Sequence, residues 1–195
     1  MCGRFVLFTT SETLLDAATT LLGRPVAAPH GTPAPRYNIA PTHTIAIINE
    51  TLQPARWGFS GRTTLFNARA ETLAEKPSFA WAFRNSRILI PMDGYYEWHG
   101  GIPYYVSTHQ LLWTAGLYRN GEATMVTTAA PPALEWLHHR APLLLAPEQA
   151  NTWLNEPTIE TMQPTSIQLQ ARPANSAVGN VANDYPELLQ SNSLF

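Results

Sequence analysis

Arg87-Ile88-Leu89-Ile90-Pro91-Met92-Asp93-Gly94-Tyr95-Tyr96-Glu97-Trp98-His99-Gly100-Gly101 is the stretch on which the fold turns. Two runs rich in aromatic and branched residues, Arg87–Met92 and Tyr95–His99, read as strands, and the Gly-Gly pair after them reads as a hairpin turn. Further strand-like runs follow at Tyr104–Ser107, Leu112–Tyr118 and Ala123–Thr128, the last two joined by Asn120-Gly121. Asn-Gly tolerates the positive φ of a type I′ turn. Upstream, Thr44–Ile48 and Gln53–Trp57 have the same character. Many short strands at close spacing with few helices predict an α+β fold: a β-rich single domain, residues 1–195, whose antiparallel sheets curl like a barrel or sandwich.

At the N-terminal side, Cys2–Phe8 suits a short strand. Thr9 with Glu12 three positions on forms a capping box, after which Leu14, Leu15, Ala18, Leu21 and Leu22 recur on one helical face until Gly23 and Pro25. Pro25–Pro41 is rich in proline and reads as an irregular surface loop. Pro131–His138 and Pro147–Leu154 each start with a proline suited to a first helical turn, and Gln168–Arg172 suits a last strand.

The 195 residues carry 12 Lys+Arg against 14 Asp+Glu, a formal charge of −2, and 45% are apolar. That balance excludes a disordered chain, whose mark is low hydrophobicity with high net charge. A single cysteine excludes an internal disulfide and a multi-cysteine metal centre. No apolar run approaches the ~18 residues of a membrane span, and Met1-Cys2-Gly3-Arg4-Phe5 does not open like a signal peptide, so a cytoplasmic location is expected. Of the 12 basic residues 11 are Arg, with Lys76 alone. Arg presents a planar fork for phosphate, though a coding bias gives the same count.

Four places could carry chemistry. Cys2 stands behind Met1; removal of Met1 would leave an α-amine and a thiol on adjacent carbons, a pair able to close a five-membered ring on an aldehyde. An α-amine has a pKa of about 7.7–8.0, so a useful share is neutral near pH 7. The alternative is a cysteine that fills apolar space. Asn67-Ala68-Arg69-Ala70-Glu71 could orient a substrate and hold a phosphate, or Asn67 could cap a helix opening near Ala70. In a strand, Tyr95, Glu97 and His99 share one face and Tyr96 and Trp98 the other. Burial among rings would raise the Glu97 carboxyl toward acid–base range; a surface glutamate is the plain alternative. Trp136-Leu137-His138-His139-Arg140-Ala141-Pro142 sets imidazole and guanidinium at a helix end, suited to proton transfer beside phosphate or to complementing a helix dipole. Adjacent histidines diverge and no HExxH set exists, so no metal site is expected.

Seven segments in order resemble the SOS-response-associated peptidase (SRAP) family of abasic-site processing proteins. They are Met1–Phe5, Arg36–Pro41, Trp57-Gly58-Phe59, Asn67–Thr72, Asp93–Trp98, His138–Pro142 and Ala177–Val181. The resemblance implies a β-rich fold with a positive cleft for single-stranded DNA and a mature N-terminal Cys that captures the ring-opened abasic sugar as a thiazolidine. It implies Cys2 as the nucleophile, Asn67 positioning the N-terminus and sugar, Glu97 transferring protons, and His138 acting on the sugar oxygen. DNA contacts would come from Arg4, Asn38, Pro41, Trp57, Arg69, Trp98 and Arg140. A monomer without cofactor or metal is implied, with weak strand cleavage through a Schiff base and self-removal of Met1 as accessory activities. The sequence departs from the family in the short Ser60–Thr64 link, where a longer aromatic loop is usual, and at Ala141, where the pattern has Met. Two other readings stay open: a Cys-dependent peptidase or amidase, and a single-strand binding module without chemistry.

Overall fold

The computed structural model describes residues 2–159 and 167–191. Its elements run β1 (Phe5–Leu7), α1 (Ser11–Leu22), β2 (Arg36–Ile39), β3 (Thr44–Ile48), β4 (Leu52–Trp57), β5 (Asn67–Arg69), α2 (Pro77–Asn85), β6 (Arg87–His99), β7 (Ile102–Arg119), β8 (Glu122–Ala129), β9 (Arg140–Pro142), α3 (Pro147–Asn155) and β10 (Gln170–Pro173). The two hairpin turns dictate the centre of this order. Gly100 and Gly101 have φ of 57° and 82°, Asn120 and Gly121 of 51° and 80°, the paired left-handed residues of a type I′ turn. They fold β6 onto β7 and β7 onto β8 in antiparallel register, with Glu97 opposite Tyr104 and Leu117 opposite Thr124.

β7–β8–β4–β3–β6 then closes back on β7 as a five-stranded barrel, which leaves no free edge among those strands. β1 and β2 extend the sheet beyond β6, and β10 extends it beyond β7. The β-rich α+β class holds, although β8 pairs parallel with β4 and with β5. Side-chain alternation along β6 divides the interior. Tyr95 joins the main core with Cys2, Phe5, Leu14, Trp57 and Val126. Tyr96 joins a smaller cluster with Val6, Tyr105, Val178 and Leu188 on the other face.

The long strands correct four shorter expectations: Tyr104–Ser107 and Leu112–Tyr118 are both parts of β7, and the other two merge in β6. Arg87–Met92 and Tyr95–His99 are one strand with a bulge between Met92 and Gly94. Pro91 is tolerated inside it because β1 and β3 pair with β6 only at Leu89 and at Gly94–Tyr95, leaving the proline opposite a gap on that side. At the bulge, the Asp93 carboxylate accepts the backbone N–H groups of Phe8 (2.5 Å) and Thr9 (2.8 Å), fastening the end of β1 to β6. Gly94 is required there: a Cβ would stand 2.6 Å from both a Tyr105 ring carbon and the Val106 carbonyl oxygen. With Thr9 engaged at Asp93, the cap of α1 falls to Thr10, one residue later than the capping box predicts. Gly23 ends that helix in the left-handed region at φ 64°.

Of Pro131–His138 only Pro132–Leu134 is helical, a single 3-10 turn, because β9 must rejoin β8 with Arg140 opposite Ala129. The loop expectation for Pro25–Pro41 misses β2, whose Ile39 pairs with Phe5. α2 was also not expected; Phe79, Ala82 and Phe83 bury its inner face. Among the described residues no helix is long and apolar enough to cross a membrane, and no group of His, Cys, Asp or Glu could hold a metal.

Candidate active site and nucleic-acid interface

Cys2 lies three residues before β1, fully buried at 0% exposure. Two groups fix it. The Asn67 side-chain amide, carried by β5, donates to the Cys2 carbonyl at 2.8 Å. The Cys2 thiol points toward the Arg4 carbonyl at 3.8 Å. Asn67 reaches this point because β5 runs parallel to β8, with Asn67 at the level of Met125. It heads a strand, so the helix-cap alternative does not apply.

Glu97 and Tyr95, two residues apart on β6, face Cys2. Glu97 is 6% exposed and Tyr95 2%. Burial pushes the Cys2 thiol well above its ordinary value, and the neighbouring Glu97 carboxylate pushes it further. The Tyr95 phenol is raised in the same way, by burial first and then by Cys2 and Glu97. Both groups therefore rest in their neutral, protonated forms.

His138 joins Glu97 and Tyr95 in one small cleft, with Leu134, Leu137 and Arg140 completing its wall. Its Nδ1 sits between two groups of one residue. The Arg140 backbone N–H lies 2.9 Å away and the Arg140 carbonyl oxygen 3.2 Å away. A neutral Nδ1 accepts from the former, and a protonated Nδ1 donates to the latter. The imidazole thus has a partner for Nδ1 in either tautomer, which fixes the ring and leaves Nε2 for other partners. His139 stacks on it with centroids 4.4 Å apart, is exposed, and is held below the ordinary histidine range chiefly by His138.

Arg140 itself is committed. Its guanidinium forms a fork with Glu71 at 2.6 and 3.0 Å and donates to the Thr127 carbonyl at 2.7 Å. That bond from Arg140 holds the Glu71 carboxyl below the usual range. The pair ties β9 to the turn after β5 and so steadies both His138 and Asn67.

The expected DNA contacts separate into surface and interior. Arg69 is exposed, two residues along β5 from Asn67. Trp98 and Pro41 are half-buried. Asn38 and Trp57 are at 0% exposure, a correction to their expected place on a DNA surface. The Trp57 indole N–H donates to the Phe66 carbonyl at 2.9 Å inside the core. Asn38 is a hub: its amide donates to the carbonyls of Val178, Asn180 and Asn183, and its oxygen accepts from Arg4 at 2.7 Å. Arg4 also donates to the Val178 carbonyl at 2.5 Å and lies 5.8 Å from the Trp98 ring centre. Its charge is spent holding the C-terminal loop against the segment just before β1, two residues from Cys2. Sequence reading missed the Glu71–Arg140 fork and the Asn38 hub, since partners 69 and 140 or more positions apart leave no local pattern.

A β-barrel domain that buries its second residue near a carboxylate, itself in one cleft with an imidazole, is a defined class. The chain belongs to the SOS response associated peptidase (SRAP) family, whose sequence profile matches residues 1–181. It is 30% identical over 227 aligned residues to the abasic site processing protein YoqW of Bacillus subtilis, covering 98% of this chain and all of that one. It is likewise 30% identical to the abasic site processing protein YedK of Escherichia coli, covering 97% and 99%. Both alignments are longer than this 195-residue chain, so those relatives carry segments that it lacks. Among solved structures, a Bacteroides thetaiotaomicron protein superposes with a TM-score of 0.78 at 20% identity over 98% of this chain and all of that one, a likeness of fold.

Proposed function

We propose that this protein captures abasic sites in single-stranded DNA covalently, acting as a monomer through the α-amine and thiol of Cys2 once Met1 is removed. Met1 lies outside the described residues, and no metal or cofactor takes part in the proposed chemistry. The observation that carries the reading is the double hold on Cys2: its carbonyl is fixed by Asn67 at 2.8 Å while its thiol points at the Arg4 carbonyl at 3.8 Å.

His138 protonates the sugar ring oxygen as the abasic deoxyribose opens to its aldehyde. The Cys2 amine adds to the aldehyde carbon, and the resulting hydroxyl leaves as water with a proton supplied from the cleft, giving an imine. The Cys2 thiol then gives its proton to Glu97, its sulfur forms a bond to the imine carbon, and Glu97 returns the proton to nitrogen. The product is a thiazolidine; one water has been lost and nothing has been oxidised. Arg69 holds a phosphate beside the lesion. The short-lived imine is also the species from which slow strand cleavage would follow, and sulfur closure draws it away.

The peptidase reading ranks lower for a specific reason. A cysteine peptidase lowers its thiol pKa with a partner cation so that thiolate is present at rest. Here burial and Glu97 push it the other way. The test is incubation of processed protein with an abasic oligonucleotide on denaturing gels. Wild type should give a stable shifted band, Cys2→Ser a band only after borohydride reduction of its imine, and a protein blocked at the Cys2 nitrogen none. Equal bands from wild type and the blocked protein would refute the proposal.

A further inference from the structure

The face of the sheet that carries Glu97 continues outward as an aromatic shelf. Tyr104 stands directly across from Glu97 on β7, and His99 and Ile102, two positions on, form the next pair on that face of the hairpin. Residues opposite each other in antiparallel strands project to the same side. Trp136, two residues before His138, packs against both Tyr104 and His99, with ring centroids 5.1 and 5.6 Å apart at 84° and 67°. Nothing covers it among the described residues: Trp136 is 48% exposed and Ile102 51%.

An indole with nearly half its surface open and braced edge-on by two rings is a flat platform. Its surroundings favour one occupant. His138, two residues on from the indole, lines the cleft with Glu97, and the exposed His139 stacks on it, so polar ring nitrogens follow the aromatic face toward the proposed site. An open aromatic face on which a base can stack is one means by which single-stranded nucleic acid is held. Meanwhile Ser60–Thr64, the link after Phe59, contains no aromatic residue.

We infer that Trp136, braced by Tyr104 and His99, is the stacking platform for the nucleobase next to the abasic position. The inference rests on the function proposed above. It adds a positioning residue: Trp136 takes up the neighbouring base and so sets the lesion over Cys2 without touching the reacting carbon.

The test measures non-covalent binding to an oligonucleotide whose central residue is a tetrahydrofuran lesion mimic, which has no aldehyde to react. Trp136→Ala should weaken binding roughly 5- to 150-fold, the range that alanine substitution of a base-stacking aromatic produces. Trp136→Phe should retain most of the affinity, and Trp81→Ala, at a 59% exposed tryptophan on α2, should match wild type. Replacing the base on one side of the mimic with a second tetrahydrofuran should erase the difference between wild type and Trp136→Ala. An alanine variant that binds like wild type overturns the platform, as does a loss that persists with either neighbouring base removed. Adduct formation by wild type, scored separately with a true abasic strand, shows whether such a failure is of the platform alone. Wild type that neither binds the mimic nor forms an adduct overturns the functional reading and the platform with it.

Discussion

Replacing Asn38 should cost stability first, and DNA binding only as a consequence. Asn38→Ala removes an amide whose two N–H groups are shared among three carbonyls, and an oxygen that accepts from Arg4. The partners' losses are unequal. The Val178 carbonyl keeps its 2.5 Å bond from Arg4, and the Asn180 carbonyl keeps the Asn183 N–H at 3.1 Å. The Asn183 carbonyl loses its donor, and Arg4 loses a charge-assisted bond of 2.7 Å. An orphaned buried carbonyl costs about 1–3 kcal/mol and a bond to a charged group contributes about 1.5–3 kcal/mol. Asn183 and Arg4 are only half-buried, so water recovers part of each, leaving a net loss near ~3 kcal/mol. For a chain of this size that lowers Tm by about 6–12 °C. Thermal unfolding followed by circular dichroism reads this directly. Asn38→Leu, which keeps the volume and discards the bonds, should fall about as far as Asn38→Ala. Were Asn38 instead a DNA contact, both variants would melt within about 2 °C of wild type, below what one lost bond produces, and would lose only affinity. That result would refute the hub.

Three further outcomes follow from the same geometry. Glu97→Gln should slow adduct formation by roughly 10²–10⁴-fold, the share that a positioned acid–base group contributes, with binding of the tetrahydrofuran strand unchanged; stopped-time gels against a binding titration separate the two. Glu71→Gln should lower stability at pH 7 by under ~1 kcal/mol, because the carboxylate of the Arg140 fork is half exposed and screened. Since Arg140 depresses the Glu71 pKa, the fork contributes above the ordinary carboxyl range and fades as pH falls below about 4, so urea curves of the two proteins should converge in acid. Gly94→Ala should destabilise by about 1–3 kcal/mol through overpacking, since its Cβ meets the Tyr105 ring and the Val106 carbonyl at 2.6 Å, and should slow capture through the displaced Tyr95–Glu97 segment.

What could be read ahead of the structure was whatever is encoded within a few residues. The Gly100-Gly101 and Asn120-Gly121 turns, the alternation Tyr95–Glu97 against Tyr96–Trp98, and the stop at Gly23 are all local, and each stands as expected. Closure of the barrel was not legible, because β4 meets β8 in parallel across a long connection that leaves no turn signal. β2 was hidden by the prolines around it, and its strand character comes from pairing with β1. Asn67, Glu97 and His138 were named from motif and chemistry; the fold brings Asn67 on β5 to the Cys2 carbonyl, sets Glu97 on β6 near Cys2, and joins His138 to Glu97 in one cleft. Asn38 and Trp57 show where a motif misleads. Both lie at 0% exposure, with their side-chain N–H groups spent on backbone carbonyls inside the fold.

The central claim, that trimmed Cys2 closes nitrogen and sulfur together on a sugar aldehyde, is tested most directly by intact mass. Processed protein incubated with an abasic single strand should gain the mass of that strand less one water, and the product should be unchanged by borohydride because no imine remains. A protein that retains its own mass, or an adduct that gains two hydrogens on reduction, would contradict it.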